Sequence, residues 1–129
     1  MTQAVKWSRR DPRGVTVVLK TSTYEEHIIS DHCESDVPGR EIACRYAPEI
    51  IESPGYIIND SSSEKQAREK YFDTRYIEET GKVRFIVIVV DADKDPREVV
   101  TVVMQRTMTD TIAKEGLIYD SSSPEKHKL

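Results

Sequence analysis

Glycine, cysteine and long apolar runs are scarce in this chain of 129 residues, and each scarcity removes a class of function. The five glycines form no glycine-rich phosphate loop and no G-x-S-x-G nucleophile turn. Only two cysteines are present, Cys33 and Cys44, with no C-x-x-C pair, so neither a disulfide framework nor a redox dithiol is indicated. No run approaches the ~18 apolar residues of a membrane span, and "MTQAVKWSRRDPRG" lacks the apolar block of a secretory signal. No membrane partner and a cytoplasmic location are the resulting expectations. Cationic excess is also missing. The formal net charge of −4 argues against broad electrostatic attraction to nucleic acid, though a local basic groove remains compatible with it.

What is present is enough for one domain. Hydrophobic residues make up 37% and charged residues 33%, with the apolar ones concentrated in a few dense runs. Residues 1–14 are polar and basic, broken by Pro12 and Gly14, and read as an N-terminal arm in which Trp7 is the one packing residue. Residues 15–120 read as a single domain and 121–129 as a polar tail.

Within the domain, "VTVVLK" at 15–20 is a strand by its alternation and β-branched content. Thr23 followed by Glu26 is a capping-box signature and predicts a helix to about His32. Val37, Pro38 and Gly39 mark a turn. Ile42, Ala43, Tyr46, Ala47, Ile50 and Ile51 then recur at helical spacing, with Pro48 predicting a kink or a break into two short helices. "YIIND" reads as a strand, 61–70 as a polar loop, and 71–79 as a strand. "VRFIVIVVD" at 83–91 is apolar on both faces in its second half, which suits a central strand. "VVTVVMQ" at 99–105 is its antiparallel partner, and "LIYD" at 117–120 is a last short strand. Helices first and a meander after them predict an α+β fold: two N-terminal helices packed on one face of a mainly antiparallel sheet of four to five strands.

The chemistry-bearing stretch is "TYEEHIISDH", residues 23–32, which holds His27 and His32. Two histidines can supply a general base and a general acid near neutral pH. Five positions on an ideal helix put them about 140° apart, so a shared face requires the helix to end near His32. The bland alternative is a helix-face histidine and a histidine favoured by the dipole at a helix C-terminus. A zinc site from His27, His32, Cys33 and Cys44 does not match the familiar ligand spacings, and no metal or other cofactor is expected. "DADKD" lacks the later glycine and glutamate of a calcium loop. Cys33 as a nucleophile beside His32 ranks low, since sequence neighbours rarely present their side chains to each other. On the strands, Thr101 interrupts an apolar run, on one face with Val99 and Val103. Arg84 does the same beside Ile86 and Ile88. Tyr71, Arg75 and Tyr119 are the other polar-tipped strand residues, and each taken singly suits a solvated sheet face.

The ordered series of "HIISDH", a second helix, "ESPGYIIND", "KYFDTRY", "VRFIVIVV" and "VVTVV" resembles the phage-associated branch of the barnase–EndoU–colicin–RelE-like (BECR) nuclease superfamily. The resemblance covers roughly residues 15–120 and lies in the order of short motifs. It implies a compact α+β fold with a curled antiparallel sheet whose open face holds the site, and metal-independent cleavage of RNA by 2′-hydroxyl attack. His27 and His32 match the paired histidines, Thr101 matches the late-strand threonine, and Tyr71 matches the tyrosine-bearing strand more loosely. Arg75, Arg84 and Tyr119 join them as phosphate-binding candidates on strand geometry. RNA is then the expected partner. The alternative is a catalytically inactive module binding a protein, an inhibitor or a small ligand on the same fold, with the final apolar strands as a homodimer surface. Asp31, where related sequences tend to show a basic residue, and the acidic balance suit that alternative.

Overall fold

A computed structural model describes residues 4–25, 37–59, 67–106 and 117–121. Among them run β1 (Val5–Arg10), β2 (Thr16–Lys20), α1 (Val37–Glu52), β3 (Tyr56–Asn59), β4 (Arg68–Ile77), β5 (Lys82–Asp91), β6 (Arg97–Gln105) and β7 (Leu117–Asp120). The strands form one sheet in the order β1-β2-β6-β5-β4-β3-β7. Every pairing is antiparallel except β2 with β6, which run parallel over Val17↔Arg97 and Val18↔Glu98.

This architecture overturns the expectation of two N-terminal helices on four to five strands. The sheet is mixed and seven-stranded, and α1 is the one helix of seven or more residues among those described. Three local reasons account for the difference. Val5–Arg10, read as an arm, pairs with β2 as the terminal strand of the sheet, where charged side chains are tolerated and only Trp7 turns toward the core. Arg68, Glu69 and Lys70, read as loop, extend β4 because ion pairs satisfy two of their charges: Arg68 with Asp91, and Glu69 with Arg13 and Arg97. Val37, Pro38 and Gly39, read as a turn, are the first turn of α1. Proline is accepted there because first-turn N–H groups have no intrahelical partner. The helix also runs on through Pro48. Of the helix expected at 23–32, residues 21–25 form a wound turn, and the rest lies outside the described residues.

The sheet curls around α1. In strand order, β2 and β4 are three steps apart, about 14 Å in a flat sheet at ~4.8 Å per step. Yet the β1–β2 turn touches β4: Tyr71 Oη lies 2.6 Å from Asp11 Oδ2. Val17, Leu19, Ile57, Tyr71, Ile77, Ile86, Ile88, Val90, Val99 and Val102 face the helix side and enclose Ala43, Ala47, Ile50 and Ile51 of α1. A smaller cluster on the outer face joins Ile58, Phe72, Val87 and Val89, with Tyr56 stacked on Phe72 at 5.2 Å between ring centroids.

One irregularity bears on function. The β5–β6 ladder shifts register between Val89 and Val90, which face Thr101 and Val99. Val100 is the extra residue of this bulge. As a result Val99 belongs to the inner cluster while Val103 packs on the outer one beside Thr101, so Val99 does not share the face of Thr101 as alternation alone predicted.

Candidate functional site

His27 and His32, with Cys33, lie outside the described residues. Their chain neighbourhood is described on both sides. Upstream, Tyr24 packs on the inner core and carries Lys6 over its ring, 4.1 Å from the centroid. Downstream, the chain enters α1 at Val37, and α1 begins its run over β6. A Cβ at Gly39 would sit 3.6 Å from Met104 Cε, and the next residue, Arg40, reaches the strand backbone.

Thr101 is engaged at that point. Arg40 Nη1 donates to Thr101 Oγ1 at 3.1 Å and to the Val102 carbonyl at 2.9 Å. Parallel pairing with β2 covers only Arg97 and Glu98 of β6, so Arg40 meets β6 beyond the stretch that β2 occupies. The guanidinium and the hydroxyl together form a donor set suited to a phosphate oxygen. Arg40 is not among the residues that the sequence motifs point to. Its place in the first turns of an amphipathic helix, eight residues after His32, was the available signal.

Tyr71 takes a different role. It is buried, and its hydroxyl donates to Asp11 Oδ2 while accepting from Arg13 Nη2 at 2.9 Å. Arg13 also donates to Asp11 Oδ2 and to both carboxylate oxygens of Glu69, and Arg97 Nε reaches Glu69 Oε1 at 3.3 Å. Asp11 and Glu69 are 5% and 6% exposed, so this is a buried network of two carboxylates and two guanidiniums. Burial, then the bond to Asp11, raises the Tyr71 phenol well above its ordinary range, which keeps the proton on. For Arg13, burial opposes the charge, but the bonds to Glu69 and Asp11 outweigh it and hold the guanidinium protonated. Asp11 further anchors its own turn, accepting from the backbone of Arg13 and Val15 through Oδ1, with Gly14 at φ 81° completing the bend. The network ties the curl of the sheet together.

Arg75 and Arg84 are brought side by side: they are direct partners in the β4–β5 ladder. Both lie on the helix-facing side by alternation with Ile77 and Ile86. Arg75 meets Asp73 at 3.2 Å and Glu49 of α1 at 3.6 Å, whereas Arg84 donates to the Val83 carbonyl. Tyr119 pairs with Ile57 and packs on the inner core, on one row with Tyr71 but separated from it by β3. Thr101 is not part of this group. Its ladder partner, Val89, is five residues along β5 from Arg84, about 17 Å at ~3.4 Å per residue.

Cys44 is buried on α1, and burial pushes its thiol up to about 11, which does not suit a nucleophile. Among the described residues no group of three or more His, Cys, Asp or Glu is placed to hold a metal ion, and no helix is long and apolar enough to cross a membrane. No family model, no curated protein and no solved structure matches the chain.

Proposed function

We propose that the protein is a metal-independent endoribonuclease in which His27 and His32 form the acid–base pair and the Arg40–Thr101 pair holds the scissile phosphate. The observation that supports this reading is the bond from Arg40 to Thr101 at the first turns of the helix that directly follows the histidine segment. One histidine takes the 2′-hydroxyl proton as that oxygen attacks phosphorus. The other gives a proton to the departing 5′-oxygen, leaving a 2′,3′-cyclic phosphate and a free 5′-hydroxyl. The guanidinium and hydroxyl stabilise the charge that grows on the equatorial oxygens.

The test is RNA cleavage in EDTA by wild type, His27→Ala and His32→Ala. Activity lost in both variants and retained with chelator is the expected result. Cleavage that survives both substitutions, or that disappears with the chelator, removes the mechanism.

A second reading is phosphate binding without cleavage on the same fold. It is favoured by the fact that the Thr101 hydroxyl already receives Arg40, so the pair needs no catalytic partner to be satisfied. RNA binding by a wild type that leaves the RNA intact decides for it.

A further inference from the structure

The ladder that pairs Arg75 with Arg84 continues onto a third strand. Phe85 faces Gln105, the last residue of β6, so Arg106 follows directly past the end of the ladder on the side of Arg84. By alternation with Ile77 and Ile86, Arg75 and Arg84 belong to the helix-facing side at one end of β4 and β5, and Arg106 leaves the neighbouring end of β6 two residues after the inner-facing Met104. At ~4.8 Å per strand the row is about 10 Å long. Like charges set directly opposite each other across a ladder are unfavourable, and a chain with a net charge of −4 has ample carboxylates to relieve them. Among the described residues, relief is given at one place only. Arg75 is met by Asp73 and by Glu49, which is itself 68% exposed, whereas Arg84 bonds only to a backbone carbonyl and Arg106 makes no ion pair among the described residues. Arg106 is exposed and Arg84 half-buried. Two guanidiniums whose charge no described carboxylate answers, one on the β4–β5 ladder and one directly after β6, suit an anion with more than one negative group.

We infer that Arg75, Arg84 and Arg106 form a subsite for the phosphodiester backbone of single-stranded RNA, separate from the Arg40–Thr101 pair. The identity of the ligand rests on the reading proposed above. In a stacked strand a phosphate recurs roughly every 3.4 Å of rise, so a row of this length meets about three successive phosphates of one strand. Thr101 lies five residues before Arg106 in the chain, about 17 Å along extended backbone, and pairs with Val89 of the outer face, so an RNA strand reaching both sites rounds the edge of β6 and has its scissile phosphate several nucleotides from the row. The row thus supplies affinity and register for a chain of nucleotides and makes no contact with the reacting phosphate.

The experiment uses the full-length His27→Ala/His32→Ala protein, which keeps the RNA intact, and a fluorescein-labelled oligouridylate followed by anisotropy across a salt series. Arg84→Gln/Arg106→Gln in that background is expected to weaken binding at least tenfold at low salt. It is also expected to flatten the slope of log K against log salt by about 1.4, two contacts at ~0.7 each. Arg45→Gln, an exposed arginine of α1 paired with Glu79, is expected to leave both quantities unchanged. An unaltered slope in the double variant with a wild-type circular dichroism spectrum overturns the proposal. So does absence of any binding by the parent protein, or an oligoglutamate peptide that binds as tightly as the RNA. The two proposals fail separately: RNA held by the row but not cut by wild type refutes the nuclease reading alone, and RNA cut with an unchanged salt slope in the double variant refutes the row alone.

Discussion

Tyr71 and Asp11 are joined by a 2.6 Å hydrogen bond that closes the curl of the sheet between strands three steps apart in strand order. The phenol is also the acceptor for Arg13, so one oxygen links the β1–β2 turn to β4 and to a buried pair of carboxylates. Removing that oxygen leaves a buried carboxylate with one donor fewer. Tyr71→Phe is expected to lower stability by about 1.5–3 kcal/mol, the range for a hydrogen bond to a charged group. Arg13→Met strips the network of its central cation and is expected to cost about 3–5 kcal/mol, because two buried carboxylates lose their main partner. Urea unfolding measures both as a shift of midpoint at constant m-value. A Tyr71→Phe midpoint equal to wild type shows that the curl does not depend on this bond.

The residues of this network explain which parts of the fold were legible in the sequence. β2, β3, β5, β6 and β7 follow from β-branched alternation and apolar runs, because their side chains pack on one cluster or the other. β1 and the start of β4 were not legible, since their pairing depends on charges answered by distant residues, as Glu69 is by Arg13, 56 positions away. No local pattern encodes that. Arg75 and Arg84 were recognisable as polar interruptions of strands, but their direct apposition depends on the β4–β5 register. Alternation places Thr101 on one face with Val99, and the one-residue bulge at Val100 sets the two on opposite faces while Thr101 keeps the face of Val103. Tyr71, taken for a site residue by its place on a strand, is fully buried, and its polar tip is accounted for by Asp11 and Arg13.

Gly55 shows a close approach of backbone to side chain. Its N–H donates to the Phe72 carbonyl at 3.0 Å, and a Cβ built there would lie 2.9 Å from Asp73 Oδ1 and 3.3 Å from the Phe72 carbonyl oxygen. Asp73 in turn holds Arg75. Gly55→Ala must therefore displace either the β3–β4 pairing or the Asp73 carboxylate, and an overpacked site of this kind costs about 1–3 kcal/mol. Thermal unfolding is expected to show a lowered Tm. An unchanged or raised Tm means that Asp73 swings aside freely.

Cys44 gives a pH dependence with a definite sign. Burial raises its thiol from 9.0 to about 11, so between those values the unfolded chain has released a proton that the folded chain still binds. Folding stability contributed by this group is complete below pH 9 and declines as pH rises toward 11. Measured in a Cys33→Ser background, the stability difference between Cys44 and Cys44→Ala proteins is expected to shrink over that interval. Native alkylation by iodoacetamide at pH 8 should be slow and should accelerate in urea. Equal rates in the two conditions contradict the buried thiol.

Thr101→Val separates the hydroxyl from the packing of β6. Arg40 keeps its bond to the Val102 carbonyl in this variant, and the substitution preserves side-chain shape, so the fold is expected to stay within about 1 kcal/mol of wild type. If the hydroxyl helps to hold the scissile phosphate, cleavage falls by roughly tenfold to a hundredfold, toward the loss seen when one preorganised donor is removed. Arg40→Gln removes the charge as well and is expected to lose more. Because both residues act on charge that develops during reaction, the losses should fall mainly on kcat, with KM for RNA little changed. A Thr101→Val enzyme with wild-type kcat and a raised KM assigns the pair to ground-state binding. One unchanged in both leaves Arg40 and Thr101 as an edge clamp for β6 and nothing more.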